Sequence, residues 1–111
     1  MATYLLTQND AGVVMTTTLQ NADGTAIDLT DATVYFHCGA EGDPDSLIVD
    51  ALATVIDAEA GRVSYTWTAD DTAEAGEYQA EFELQYAAGT VIRTVPSRSG
   101  AFKVVIRPEV A

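Results

Sequence analysis

A chain of 111 residues, 48% hydrophobic and 20% charged, has room for one domain and one core. Five cations against seventeen carboxylates leave a formal charge of −12 with His37 neutral, which excludes nucleic-acid binding through phosphate neutralisation and disfavours an anionic membrane surface. The single cysteine, Cys38, rules out an intrachain disulfide and a cysteine-cluster metal site.

The opening Met1-Ala2-Thr3-Tyr4-Leu5-Leu6 has no cationic segment and no long apolar one, so a secretory signal is not expected. No apolar run approaches the roughly 18 residues of a membrane-crossing helix. Period-two alternation dominates instead. Tyr4–Thr7 is a first β-rich run, and Val13, Met15, Thr17 and Leu19 alternate after it. Asn21-Ala22-Asp23-Gly24 has the chemistry of a hairpin turn. Val34, Phe36 and Cys38 then face one way, with Tyr35 and His37 facing the other. Leu47–Ile56 reads as one strand. Asp57-Ala58-Glu59-Ala60-Gly61 is a turn into Val63, Tyr65 and Trp67, which alternate with Arg62, Ser64, Thr66 and Thr68.

Asp71-Thr72-Ala73-Glu74-Ala75-Gly76 carries helix-end signals: Asp71 (or Asp70) as cap with Glu74 reaching back, and Gly76 at a left-handed C′ position. One helical turn is expected near 71–76. The clearest strand follows, with Tyr78, Ala80, Phe82, Leu84 and Tyr86 on one face and Gln79, Glu81, Glu83 and Gln85 on the other. Ala87-Ala88-Gly89 turns into Thr90–Val95, and Phe102–Arg107 closes the series before Pro108. The expectation is a single all-β domain over residues 1–111, an antiparallel β-sandwich of seven or eight strands, with a small barrel as its rival. Tyr78, two residues before Ala80, occupies the place of the tyrosine that ties the corner of immunoglobulin-like sandwiches. Asp71, Gly76 and Tyr78 are therefore the expected structural corner, with Trp67 in the core and burial in place of the inter-sheet disulfide. A disulfide-free core suits synthesis in a reducing cytoplasm.

Three phrases carry a family likeness. Asp23-Gly24-Thr25-Ala26-Ile27-Asp28-Leu29-Thr30-Asp31-Ala32-Thr33-Val34, then Ile56 to Trp67, then Asp71 to Glu83 resemble, in order, the N-terminal domain of the phage baseplate upper protein family. The likeness spans Gln8 to Ile106. It implies an immunoglobulin-like module in a structural protein of a tailed-bacteriophage virion, acting by docking to other virion proteins in several symmetric copies, assembled in the bacterial cytoplasm and not an enzyme. Long members continue into trimerising and receptor-binding parts. This chain stops at Ala111, so the expectation is a free-standing accessory domain of tail, baseplate, neck or capsid. Adhesion to a host-surface glycan or protein is the alternative.

No residue pattern points to catalysis or to a cofactor. Glu81 and Glu83, about 7 Å apart on one strand face, read as a solvated face. The only histidine is His37, and no serine sits in a nucleophile-elbow pattern. His37 and Cys38 point to opposite faces and cannot share a metal. The acidic loops Glu41–Asp45 and Asp23–Asp31 lack the EF-hand spacing for Ca²⁺. For a partner interface the candidates are the outward Tyr35 and His37 and the cations Arg93, Arg98, Lys103 and Arg107. These four crowd the last nineteen residues, while Arg62 alone faces sixteen carboxylates before them.

Overall fold

The computed structural model describes residues 3–21, 23–40, 47–86, 91–95 and 102–110, the side chains of 91–93 and 102 excepted. Its strands are β1 (Thr3–Thr7), β2 (Val14–Thr18), β3 (Ala32–Ala40), β4 (Leu47–Leu52), β5 (Thr54–Asp57), β6 (Arg62–Thr66), β7 (Gly76–Tyr86), β8 (Val91–Val95) and β9 (Phe102–Arg107). The larger sheet runs β1-β9-β7-β3-β4, with β8 also paired to β7; the smaller runs β2-β6-β5. The all-β sandwich is therefore present. β1 lies parallel to β9, from Thr3 opposite Lys103 to Thr7 opposite Arg107, and the other pairings are antiparallel.

Among the described residues nine strands appear where seven or eight were expected, because the Leu47–Ile56 run divides at Ala53. There the chain leaves the larger sheet and enters the smaller one, while the Ala53 N–H donates to Val34 O at 2.8 Å. A strand that changes sheets closes one side of the sandwich. β8 and β9 share one edge of β7. β8 lies along Phe82–Tyr86 and β9 along Gly76–Ala80.

The alternation seen in the sequence sets the layers. Val34, Phe36 and Cys38 of β3 and Tyr78, Ala80, Phe82 and Leu84 of β7 are buried against Met15, Val63, Tyr65 and Trp67. Phe36 is the hub, with ring centroids 4.9 Å from Tyr65, 5.4 Å from Trp67 and 5.1 Å from Phe82. The buried Trp67 Nε1 has no hydrogen-bond partner among the described residues. Its indole stands nearly perpendicular to the rings of Phe36 and Tyr65, an arrangement suited to edge-to-face ring contact. Burial, with the Asp71 carboxylate nearby, pushes the Cys38 thiol up to about 12, so Cys38 acts as a small hydrophobe.

The phrase from Asp23 to Val34 has a physical basis. Asp23 Oδ1 accepts from Thr25 N at 3.0 Å and Thr25 Oγ1 at 2.6 Å. Asp28 Oδ1 accepts from Thr30 N at 2.9 Å and Thr30 Oγ1 at 2.6 Å. Two Asp-x-Thr turns thus stand on either side of the buried Ile27, the second of them holding the buried Leu29. These bonds, the threonine hydroxyl first, hold both carboxyls below their ordinary range.

The helical turn expected near 71–76 is absent. Consecutive turns stand there, with Asp71 N donating to Thr68 O at 3.1 Å and Ala73 N to Asp70 O at 3.5 Å. The reason is distant in sequence. Asn9 N donates to Thr72 O at 3.0 Å and Gln8 Nε2 to Ala73 O at 2.8 Å, while the buried Thr72 hydroxyl donates to Asp10 O at 2.7 Å. These carbonyls are claimed by the 8–10 loop. Asp71 pairs backwards, not with Glu74: its Oδ2 accepts from Thr68 N at 3.0 Å and from the Tyr65 hydroxyl at 2.5 Å, and its N–H meets Thr68 Oγ1 at 3.3 Å. The reciprocal Thr68–Asp71 bonds are those of a capping box without a helix behind it.

Gly76 does not take a left-handed C′ position. It opens β7 at φ 158°, and a Cβ there would lie 3.3 Å from the Tyr78 hydroxyl oxygen. Tyr78 donates that hydroxyl to Glu74 O at 2.9 Å. Removing it leaves a partly buried carbonyl without its partner. Tyr78→Phe is expected to cost about 1 kcal/mol in urea denaturation, and no measurable loss would show that the tie contributes nothing.

Candidate functional site

Strand pairing decides which side chains share the outer face of the larger sheet. Tyr35 lies between Leu52 on β4 and Glu83 on β7; one row along, His37 lies between Asp50 and Glu81. His37 Nε2 is 3.2 Å from Asp50 Oδ1, with the histidine side chain 21% and the carboxylate 65% exposed. Leu52 is 61% exposed beside Tyr35. Gln85 Nε2 donates to Glu83 Oε1 at 2.7 Å. The centre of this face is thus an aromatic–aliphatic pair set among carboxylates.

The expected basic group divides. Lys103 lies opposite Gln79, two strands or roughly 10 Å across from β3, and is 3.2 Å from Glu77 Oε1. Arg107 pairs in register with Thr7 at the end of β1 and is exposed. Arg93 occupies a β8 position opposite Leu84. Arg98 and the acidic loop 41–45 lie outside the described residues, as does the turn 87–89. Tyr35 and His37 are therefore neighbours, whereas Lys103 and Arg107 stand apart at the other end of the same sheet. Leu52 and Asp50, which complete the Tyr35–His37 patch, were not singled out in the sequence, because only the β3–β4 register brings them there.

The outer face of the smaller sheet has a different character. Its three rows are Val14–Thr66, Thr16–Ser64–Thr54 and Thr18–Arg62–Asp57. Val14 is 56% exposed and Ile56, at the β5 bulge, 51%. One cation and one carboxylate, side by side in the last row, are its charges. Its sequence signs were the alternation of Val13, Met15, Thr17 and Leu19 and that of Arg62, Ser64 and Thr66 with Val63, Tyr65 and Trp67.

Among the described residues, no group of three or more His, Cys, Asp or Glu side chains is placed to hold a metal ion. The Asp23 and Asp28 carboxylates are engaged with Thr25 and Thr30.

The comparisons agree with this architecture. A solved structure described as the N-terminal domain of phage TP901-1 ORF48 superposes with a TM-score of 0.66 at 14% identity, covering 96% of this chain and 85% of that one. That likeness is one of fold. No curated protein sequence matches. The family model described as the BppU N-terminal domain, that of phage baseplate upper proteins, matches residues 4–109. The chain accordingly belongs to the BppU N-terminal domain family and is a structural component of the phage virion.

Proposed function

We propose that the domain acts by docking to other virion proteins through the outer face of its larger sheet, with no catalysis and no cofactor. The observation that carries this is the pairing of the half-buried Tyr35 with the exposed Leu52 on one strand face, with Asp50, Glu81 and Glu83 around them. Tyrosine is among the residue types that carry most of the binding energy at protein interfaces. The surrounding carboxylates set register and speed encounter with a basic partner surface, and Lys103 and Arg107 do the same for an acidic one. On this reading the partners are other virion proteins, in several symmetric copies, and assembly takes place in the host cytoplasm. Nucleic acid and membrane are not partners of so acidic a chain.

The test is incorporation into particles. Tyr35→Ala, and Lys103→Glu combined with Arg107→Glu, are expected to lower the amount of this chain in purified virions by more than about tenfold. The double charge variant should leave the fold within about 0.5 kcal/mol, since an exposed Lys–Glu pair contributes little, and Tyr35→Ala is compared at conditions where denaturation shows it folded. Unchanged incorporation overturns the reading. Tight binding of the isolated chain to host cells or their glycans would replace it with adhesion, for which a tyrosine beside a carboxylate is equally suited.

A further inference from the structure

We infer that the outer face of the smaller sheet is a contact surface for a second copy of this same chain, separate from the docking face and independent of that reading. Charge is the first argument. The chain carries −12 overall, and copies meeting through the larger sheet would oppose Asp50, Glu77, Glu81 and Glu83 to the same four carboxylates. On the smaller sheet the first two rows carry no charge, and Arg62 stands opposite Asp57 in the third. Two such faces meet without like charges opposed across most of their area.

Side-chain type is the second argument. Val14, Thr16, Thr54 and Ile56 are all exposed and all β-branched. Their few rotamers leave little freedom to lose on contact. Threonine hydroxyls can donate and accept, so hydroxyl rows suit a copy of themselves. Area sets the strength. Strands of five, five and four residues make a footprint of at most about 14 by 17 Å, well short of the about 800 Å² per partner of a stable complex. The contact is therefore weak between free copies and effective between copies held near one another.

Sedimentation of the full chain over a concentration series up to the millimolar range, at low and high salt, tests this. Average mass should rise with concentration and rise further at high salt, because salt screens the repulsion between acidic copies and leaves a neutral contact intact. Thr16→Glu and, separately, Thr54→Glu place a carboxylate in the middle row. Each should weaken association by more than about tenfold, whereas Lys103→Glu on the other sheet should not. A single monomeric mass at both salts, association that salt weakens, or association that survives both glutamate variants overturns the inference. None of these outcomes bears on incorporation through Tyr35.

Discussion

Gly61→Ala should destabilise the domain by about 3 kcal/mol or more. Gly61 ends the turn before β6 at φ +69°, where an L side chain costs about 1–2 kcal/mol. The larger part of the effect is steric. A Cβ there would lie 2.8 Å from both Ile27 O and Leu19 O. Neither carbonyl can retreat easily. Leu19 O accepts from Ile27 N at 2.9 Å, Leu19 N donates to Gly61 O at 2.8 Å, and Leu29 N donates to Ala58 O at 2.8 Å. Moving one strand of this seam moves the buried Leu19, Ile27 and Leu29 together. Gly24→Ala is the control: φ is +89° and nothing lies within 4 Å of the added Cβ, so only the backbone term of about 1–2 kcal/mol remains. Trp67 is the sole tryptophan and is 0% exposed, so its fluorescence reports unfolding in denaturant. Equal losses for the two alanine variants would show that the close approach carries no energy.

Phe36→Ala should cost about 3–5 kcal/mol. Phe36 is 0% exposed and touches Tyr65, Trp67 and Phe82, and so joins β3, β6 and β7 across the sandwich. It does by packing what a disulfide does in many domains of this architecture. Truncation leaves a cavity bounded by three large rings that belong to both sheets, which cannot all collapse into it. Phe36→Leu keeps most of the volume and should cost less than about half as much. Denaturation followed through Trp67 separates the variants, and a loss below about 1.5 kcal/mol for alanine would mean that the cluster repacks. Where either variant is folded, the larger sheet's outer face is untouched, so docking competence should follow stability alone.

Several elements were legible because their cause is local. The alternation over Tyr78–Tyr86 placed β7 within two residues of its observed start, and Val34, Phe36 and Cys38 are buried as their phase implied. The Asp23–Val34 phrase was readable as a family mark, and its two Asp-x-Thr turns involve no partner more than two residues away. The segment 71–76 was misread for the opposite reason. Its capping chemistry is real in Thr68–Asp71, but Gln8, Asn9 and Asp10 take the groups a helix would use, and no local window contains them.

The candidate site divides in the same way. That Tyr35 and His37 face outward follows from period two within a single strand. That Leu52 and Asp50 stand beside them depends on β4 pairing with β3, and that the smaller sheet presents a face with one cation beside one carboxylate depends on β2, β6 and β5 lying together. By itself the sequence determined which way each side chain points, because alternation and turn chemistry act over a few bonds. Only the tertiary structure decided what each face is made of, because a face is assembled from strands distant in the chain. Their adjacency comes from burying a shared core and pairing backbone hydrogen bonds.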